Sequence, residues 1–482
     1  MTDSSPAPAA PVEYPKPEGQ PLPPMPLWWR GAILLGVLAG GGLAYLLQPT
    51  LGTRGQAGFG ILCFLGVAAA FSRNLRGVSL RTFGYGVLIQ FVLAVAVLYV
   101  QPVDDFFKLV GRGIKVLIDC SDKGAEFVFG DLAKIQPPLG FVFAFKALPP
   151  IIFISAFFSV LYHFGILQLL VAGFAWGMRY VMGTSGAETL SVSANVFMGQ
   201  TEAPLIVKPY VPRMTESELL TLMASGMAHI SGGMMAVYIS YGADPVSILC
   251  TCVMACPCSL YLSKLLLPEL AVPVTSPEGQ RREAQREAAK TEADKASERE
   301  KGPDPEVPVN AIDAASKGIK DGMTLALNVA AMLIGFLAFI ALFDAIIGAR
   351  FPGWDLKRIF GIAFSPVAFL IGIPLDECNT VGGLLGTKLA ANEHVAYLDL
   401  KGMKAAGTIT AESHRLVVFA LSGFANFASI GIQLGGIGAM APSRRADLAR
   451  LGLKALFVGF LVTLINASVA GLLAPPLNTT TP

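Results

Sequence analysis

NVFMGQTEAP, residues 195–204, and GTKLAANEHVAY, residues 386–397, decide how this chain is read. Each string sets a carboxylate, Glu202 or Glu393, among glycine, proline and asparagine inside otherwise apolar sequence. An ionisable group at membrane depth is costly, so by default it faces a cavity and marks a substrate or ion path. Glycine and proline break helices, and broken backbone at that depth survives only when it is buried in protein or lines water. Two such interruptions in matching places of two halves are the sequence pointer to a secondary transporter.

The rest of the chain supplies the membrane around them. Of 482 residues 53% are hydrophobic and only 15% charged, where a soluble protein carries about 25% charge. The net charge of +2 gives no reason to expect nucleic acid. Seven cysteines are too scattered for a disulfide framework and lie mostly in apolar runs, where cysteine acts as a small hydrophobe. The run Cys250, Cys252, Cys256 and Cys258 resembles the CPC of metal-transporting P-type ATPases. The soluble phosphorylation domain and DKTG string of such a pump are both missing, so buried small side chains are the better reading.

Hydropathy predicts an all-α polytopic membrane protein with about nine transmembrane helices, two re-entrant helical hairpins in an inverted repeat, and interfacial helices. A Pro-rich tail over residues 1–26 is expected to be disordered. The spans are expected at 27–47, 58–71, 83–100, 141–167, 222–241, 246–267, 322–343, 415–437 and 451–473. Residues 101–138 mix charge with spaced apolar positions such as Phe106, Phe107 and Ile114, as in a helix lying along the membrane surface. Residues 275–308 carry seven basic and nine acidic side chains and read as a solvated linker.

As domains, 27–140 and 311–360 are assigned to a scaffold. Residues 141–268 form a scaffold span plus a first transport repeat with its hairpin at 188–220. Residues 269–310 are a cytoplasmic linker, 361–474 a second transport repeat whose interrupted region is expected at about 361–400, and 475–482 a tail. Counting spans from a cytoplasmic amino terminus puts Arg73, Arg76, Arg81, Arg444, Arg445 and Arg450 inside, in keeping with the positive-inside rule. The location expected is the cytoplasmic membrane. GMAHI at 226–230 and GFANF at 423–427 follow the two strings at similar distances and suggest the internal repeat.

Chemistry concentrates on the two strings. Gly199 and Pro204 would stop a helix in mid-bilayer, freeing the Gln200 amide and the Glu202 carboxylate to bond a polar ligand. The bland alternative pairs Glu202 with Lys208. Asn392 and Glu393 suit a polyol, because a carboxylate accepts from two adjacent hydroxyls. Asn426 and Ser429, three apart, share one helix face and could complete a polar wall; interhelical bonding is their ordinary role. Glu188, Asp376 and Glu377 read as interfacial caps, and Lys388 as a counter-charge in the hairpin tip. His163, His229, His394 and His414 have no metal-like spacing, and no nucleophile–base pair or phosphate loop points to an enzyme. The residues alone leave a nucleoside, another polar solute such as a free sugar or nucleobase, or a channel open.

GFVFAFKALPPIIFISAFFSVLY (140–162), SGAETLSVSANVFMGQTEAPL (185–205), GTKLAANEHVAY and GFANFASIGIQLGG (423–436) closely resemble the concentrative nucleoside transporter family. The resemblance runs in order over about residues 83–473. It implies a homotrimer whose subunits each couple nucleoside uptake to a sodium or proton gradient, with a transport domain moving elevator-like past a trimeric scaffold. It implies that Gly199, Gln200, Thr201, Glu202 and Met234 meet the base, and that Glu393, Asn426, Ser429 and Phe424 meet the ribose. Asn195 and the carbonyls of Met198, His229 and Ile230 fall where the family holds sodium.

Three residues depart from the family pattern. His229 replaces a small hydroxyl residue, His394 replaces phenylalanine, and Met234 is bulkier than the usual valine. A histidine titrates near neutral pH. Protonated His229 could therefore stand in for the ion, which makes proton coupling the expectation to test; the alternative is a ring turned away from an intact sodium site.

Overall fold

The computed structural model describes residues 23–134, 142–146, 148–288 and 308–475. Most of the tail expected over 1–26, of the charged linker and of the carboxy-terminal tail lies outside these residues. Every described element is a helix, and six are long and apolar enough to cross a membrane.

Three helices come first: α1 (Leu27–Ala70), α2 (Leu80–Tyr99) and α3 (Gln101–Phe129). The two spans expected at 27–47 and 58–71 form the single kinked element α1. Gly52, at φ 63°, turns the chain there, three residues after Pro49, because glycine reaches positive φ without a Cβ clash. In α3 the charged residues alternate with apolar ones at helical spacing, and Asp104 pairs with Lys108 on it.

A series of elements then occurs twice. The first is α4 (Leu148–His163), α5 (Ile166–Met182), α6 (Gly186–Ala194), α7 (Glu216–Ala228), α8 (Gly232–Ser240) and α9 (Pro245–Leu266). The second is α10 (Ala311–Arg350), α11 (Leu356–Leu370), α12 (Cys378–Ala390), α13 (Glu393–Ala406), α14 (Ala411–Leu421), α15 (Phe427–Met440) and α16 (Arg445–Leu473). In each, two helices lead into a helical hairpin, a helix broken in the middle, and a final long helix. The first hairpin is α6 plus the irregular descending arm 195–213; the second is α12 with α13.

The second interruption is narrower than residues 361–400. Helix α11 runs unbroken to Leu370, through Pro366. Gly361 is there for close approach: a Cβ on it would lie 2.8 Å from the Asn379 carbonyl oxygen, and one on Gly382 would lie 2.6 Å from the Gly361 carbonyl oxygen. These glycines let α11 and α12 pack backbone to backbone.

Capping residues fix the arms. Ser185 with Glu188, and Thr215 with Glu218, form capping boxes that start α6 and α7. Ser231 caps α8 by accepting from Met234 N–H, and Asn426 caps α15 by accepting from Ser429 N–H at 2.9 Å. The register of the repeat is therefore two residues away from the match of GMAHI to GFANF. Ser231, not His229, is the counterpart of Asn426.

Contacts at the helix ends show that the two series are inverted. At one end Arg73 donates from its backbone to Leu266 and pairs with Glu216, which Arg450 also reaches. The first hairpin begins and ends here, with Glu188 at 2.8 Å from Lys264 and Thr215 bonded to Glu269. At the other end the Tyr99 hydroxyl donates to Leu473 and Arg54 to Ala474. The second hairpin is rooted here, where Gln56 donates to the Phe369 and Ile373 carbonyls and Glu377 accepts from Thr410. The hairpins thus enter the bundle from opposite ends, and their tips reach the two broken helices between them.

Helices α7, α9 and α16 pack on one another at the centre of the dry core, while α4 runs along α10. On the far sides α1 lies against α16, and α2 against α9.

Candidate functional site

Polar side chains converge where the two hairpin tips reach the two helix breaks. Glu393 is the first residue of α13, set there by Asn392, whose side chain caps the helix on Val395 N–H. Its carboxylate is 4% exposed and accepts from the Tyr238 hydroxyl and from Asn426 Nδ2, both at 2.9 Å. One oxygen thus faces the first broken helix and the other faces the second.

Across the site the Gln200 amide donates to Ser429 Oγ at 3.3 Å and accepts from Gln433 Nε2 at 3.2 Å. Gln433 also donates to the Met223 carbonyl at 2.9 Å. Thr201 packs on α15, close enough that a Cβ on Gly436 would lie 2.7 Å from its methyl group. Glu202 turns back on its own chain and accepts from Gly199 N–H at 3.0 Å; Lys208 is not its partner among the described residues. The side chain of Glu202 stays exposed, whereas Gln200, Glu393, Asn426 and Ser429 are buried.

Phe424 is partly buried against the core, and its backbone N–H donates to the His229 carbonyl at 3.2 Å. Met234 is buried in the first turn of α8, one turn before Tyr238.

Asn195 is fully buried at the end of α6. Its Nδ2 donates to the Ser191 carbonyl and to Ser225 Oγ at 3.0 Å, while its Oδ1 has no hydrogen-bond partner. A buried acceptor left open is expensive, and this one is the donor atom a small cation takes. His229 is occupied elsewhere. Its Nδ1 lies 2.7 Å from the Ser225 carbonyl, and Nε2 lies 3.3 Å from Cys256 Sγ. A carbonyl only accepts, so Nδ1 carries a proton. The ring braces α7 against α9.

The cysteines of α9 are also separately engaged, Cys258 with the Tyr261 hydroxyl and Cys250 with Met254. Glu188 caps the first hairpin arm and is buried and ion-paired as well, whereas Glu377 stands at the start of α12 without a side-chain cap bond and accepts from Thr410 instead. His394 meets the Tyr241 hydroxyl at 3.0 Å, against the ring of Tyr238.

Sequence reasoning missed Tyr238, Gln433 and Ser225. Gln433 carried a readable signal, lying four residues after Ser429 on the same helix face. Tyr238 carried none, because its partner Glu393 lies across the inverted repeat.

Known proteins match this arrangement along most of the chain. Residues 59–132 and 247–471 match family models described as the amino and carboxyl termini of Na+ dependent nucleoside transporters, and 144–245 match one described as nucleoside recognition. A human sodium/nucleoside cotransporter 1 is 37% identical over 96% of this chain and 70% of its own length. A Haemophilus influenzae transporter is 38% identical over 86% of this chain and 96% of its own. A solved structure described as CNTnw in an inward-facing substrate-bound state superposes with a TM-score of 0.78. It is 36% identical and covers 86% of this chain and 97% of its own.

Proposed function

This chain belongs to the concentrative nucleoside transporter family, and we propose that it is a sodium-coupled importer of nucleosides across the cytoplasmic membrane. The setting of Glu393 carries this reading. Each of its oxygens accepts from one neighbouring side chain, Tyr238 or Asn426, and a carboxylate offers about four lone-pair directions. These two side chains do not exhaust its acceptor capacity, and two adjacent hydroxyls, as on a ribose, would suit what remains. Asn426 and Ser429 extend that wall, with Phe424 beside it. The base would lie toward the first hairpin, where Gln200, Thr201 and Glu202 supply polar groups and Gly199 and Met234 set the space.

Sodium is favoured over a proton by two observations. Asn195 Oδ1 is a buried acceptor without a partner, and both ring nitrogens of His229 are engaged. A sodium ion held by Asn195 and the carbonyls of Met198, His229 and Ile230 would tie the first hairpin to the break after α7. It would thereby order the residues that meet the base, and a ligand that favours one arrangement shifts the population toward it.

In an elevator-like cycle the two hairpins, the broken helices, α9 and α16 would move as one body past α4 and α10 in a homotrimer. Helices α1 and α2 would travel with that body rather than belong to the scaffold, since they pack on α16 and α9.

Uptake of labelled uridine and adenosine into proteoliposomes, with and without an imposed sodium gradient, tests the reading. Accumulation against a concentration gradient that requires sodium supports it. Absence of uptake for every nucleoside overturns it, and uptake driven by a proton gradient alone overturns the choice of ion.

A further inference from the structure

Lys388 is fully buried in α12, yet among the described residues no carboxylate lies within ion-pair distance of it. Its ammonium donates to the Ala420 carbonyl at 2.7 Å and to Thr463 Oγ1 at 2.9 Å, and lies 5.5 Å from the centroid of the Phe460 ring. A buried ammonium is costly unless its surroundings replace water. Here the replacement is a carbonyl, a hydroxyl and an aromatic face, which would suit a free monovalent cation equally well. The carbonyl is one of the last four of α14, where unsatisfied acceptors and the negative end of the helix dipole coincide.

The position is informative too. Lys388 precedes Glu393 by five residues, and Ala420 precedes Asn426 by six. The bonds Lys388–Ala420 and Glu393–Asn426 therefore join the same hairpin to the same broken helix at two levels. Among the described residues the first hairpin has no comparable buried ammonium near its tip. Lys264 lies at its roots, and Asn195 Oδ1 is left open.

We infer that Lys388 is a tethered cation, a positioning residue whose ammonium permanently fills a monovalent-cation site between the second hairpin and the break after α14. The second hairpin thus keeps Glu393 aligned without an ion from solution, and dependence on a dissolved ion is confined to the first. This rests on the transport reading given above.

The test uses the full-length protein in proteoliposomes. Lys388→Ala is expected to raise the uridine KM by about tenfold or more. Propylammonium, which supplies the missing head group without its tether, is expected to restore much of that loss. With sodium as the sole small cation, the sodium dependence of Lys388→Ala should become steeper, its Hill coefficient rising by about one over the parent. A folded Lys388→Ala protein with the parental KM overturns the inference. So does a raised KM that propylammonium leaves unmoved while the sodium curve stays parental.

Should Lys388→Ala not fold, Thr463→Val decides the matter, because it removes one ligand and keeps the charge. Its uridine KM should rise about threefold with the sodium half-saturation unchanged. A parental KM, or an equal shift in sodium half-saturation, overturns the inference. Failure of the parent protein to take up any nucleoside would instead strike the transport reading itself.

Discussion

The backbone N–H of Phe424 donates to the carbonyl of His229 at 3.2 Å, so the two broken helices touch at their breaks. One backbone bond thus joins the two breaks, beside the polar groups that gather at the hairpin tips.

Glu393 and the substrate's vicinal hydroxyls should behave as one unit. A hydrogen bond to a charged group is worth about 1.5–3 kcal/mol, so Glu393→Gln should raise the KM for uridine about tenfold or more. Removing the 3′-hydroxyl should cost the parent a similar factor and the variant little more. Additive losses in this double cycle would move the ribose away from Glu393.

His229 should be dispensable for coupling. With both ring nitrogens engaged, at the Ser225 carbonyl and at Cys256, uptake should change little between roughly pH 6 and 8, the range in which a free imidazole titrates. Replacing sodium by choline should abolish concentrative uptake in both the parent and His229→Ser. Asn195→Ala should raise the sodium half-saturation in each background. Uptake that climbs as external pH falls and ignores choline would reinstate the proton.

Two residues that only the structure brings into the site make the next prediction. Gln433→Leu strips Gln200 and the Met223 carbonyl of their donor, and unpaired buried groups cost about 1–3 kcal/mol. The variant should bind nucleosides five- to hundredfold more weakly by about that energy, while its sodium dependence changes less. Tyr238→Phe removes one of the two donors to Glu393 and should weaken ribosides more than free bases. Scintillation-proximity binding on purified protein reads both effects.

Gly382→Ala should destabilise the second hairpin without touching the site. The new methyl group would lie 2.6 Å from the Gly361 carbonyl oxygen and 2.9 Å from the Ser365 nitrogen. Overpacking against backbone typically costs about 1–3 kcal/mol, so the detergent-solubilised protein should melt at a visibly lower temperature. An unchanged melting temperature would mean that α11 and α12 can separate freely.

Much of this was legible in the residues, and the exceptions have physical reasons. GQTEAP and the Asn392–Glu393 pair announced themselves because carboxylates and helix breakers are conspicuous in apolar sequence. Helix α11 was misread as part of the interruption because Gly361 and Pro366 look the same in sequence whether they break a helix or let another approach it. Gly52 hid a kink for the opposite reason, lying between two spans where a turn was already expected. His229 seemed poised at the ion because only its position was visible. The Ser225 carbonyl and Cys256 that engage the ring come from the preceding turn and a neighbouring helix, and composition does not reveal such partners.

The pairing of Glu188 with Lys264 also bears on the order of assembly. The glutamate is synthesised well before the lysine, with the whole of α7 and α8 and most of α9 between them. A buried carboxylate without its partner cation is costly. Until α9 arrives, the roots of the first hairpin have no ammonium to receive Glu188. Docking of α9 therefore completes those roots and latches the first half together.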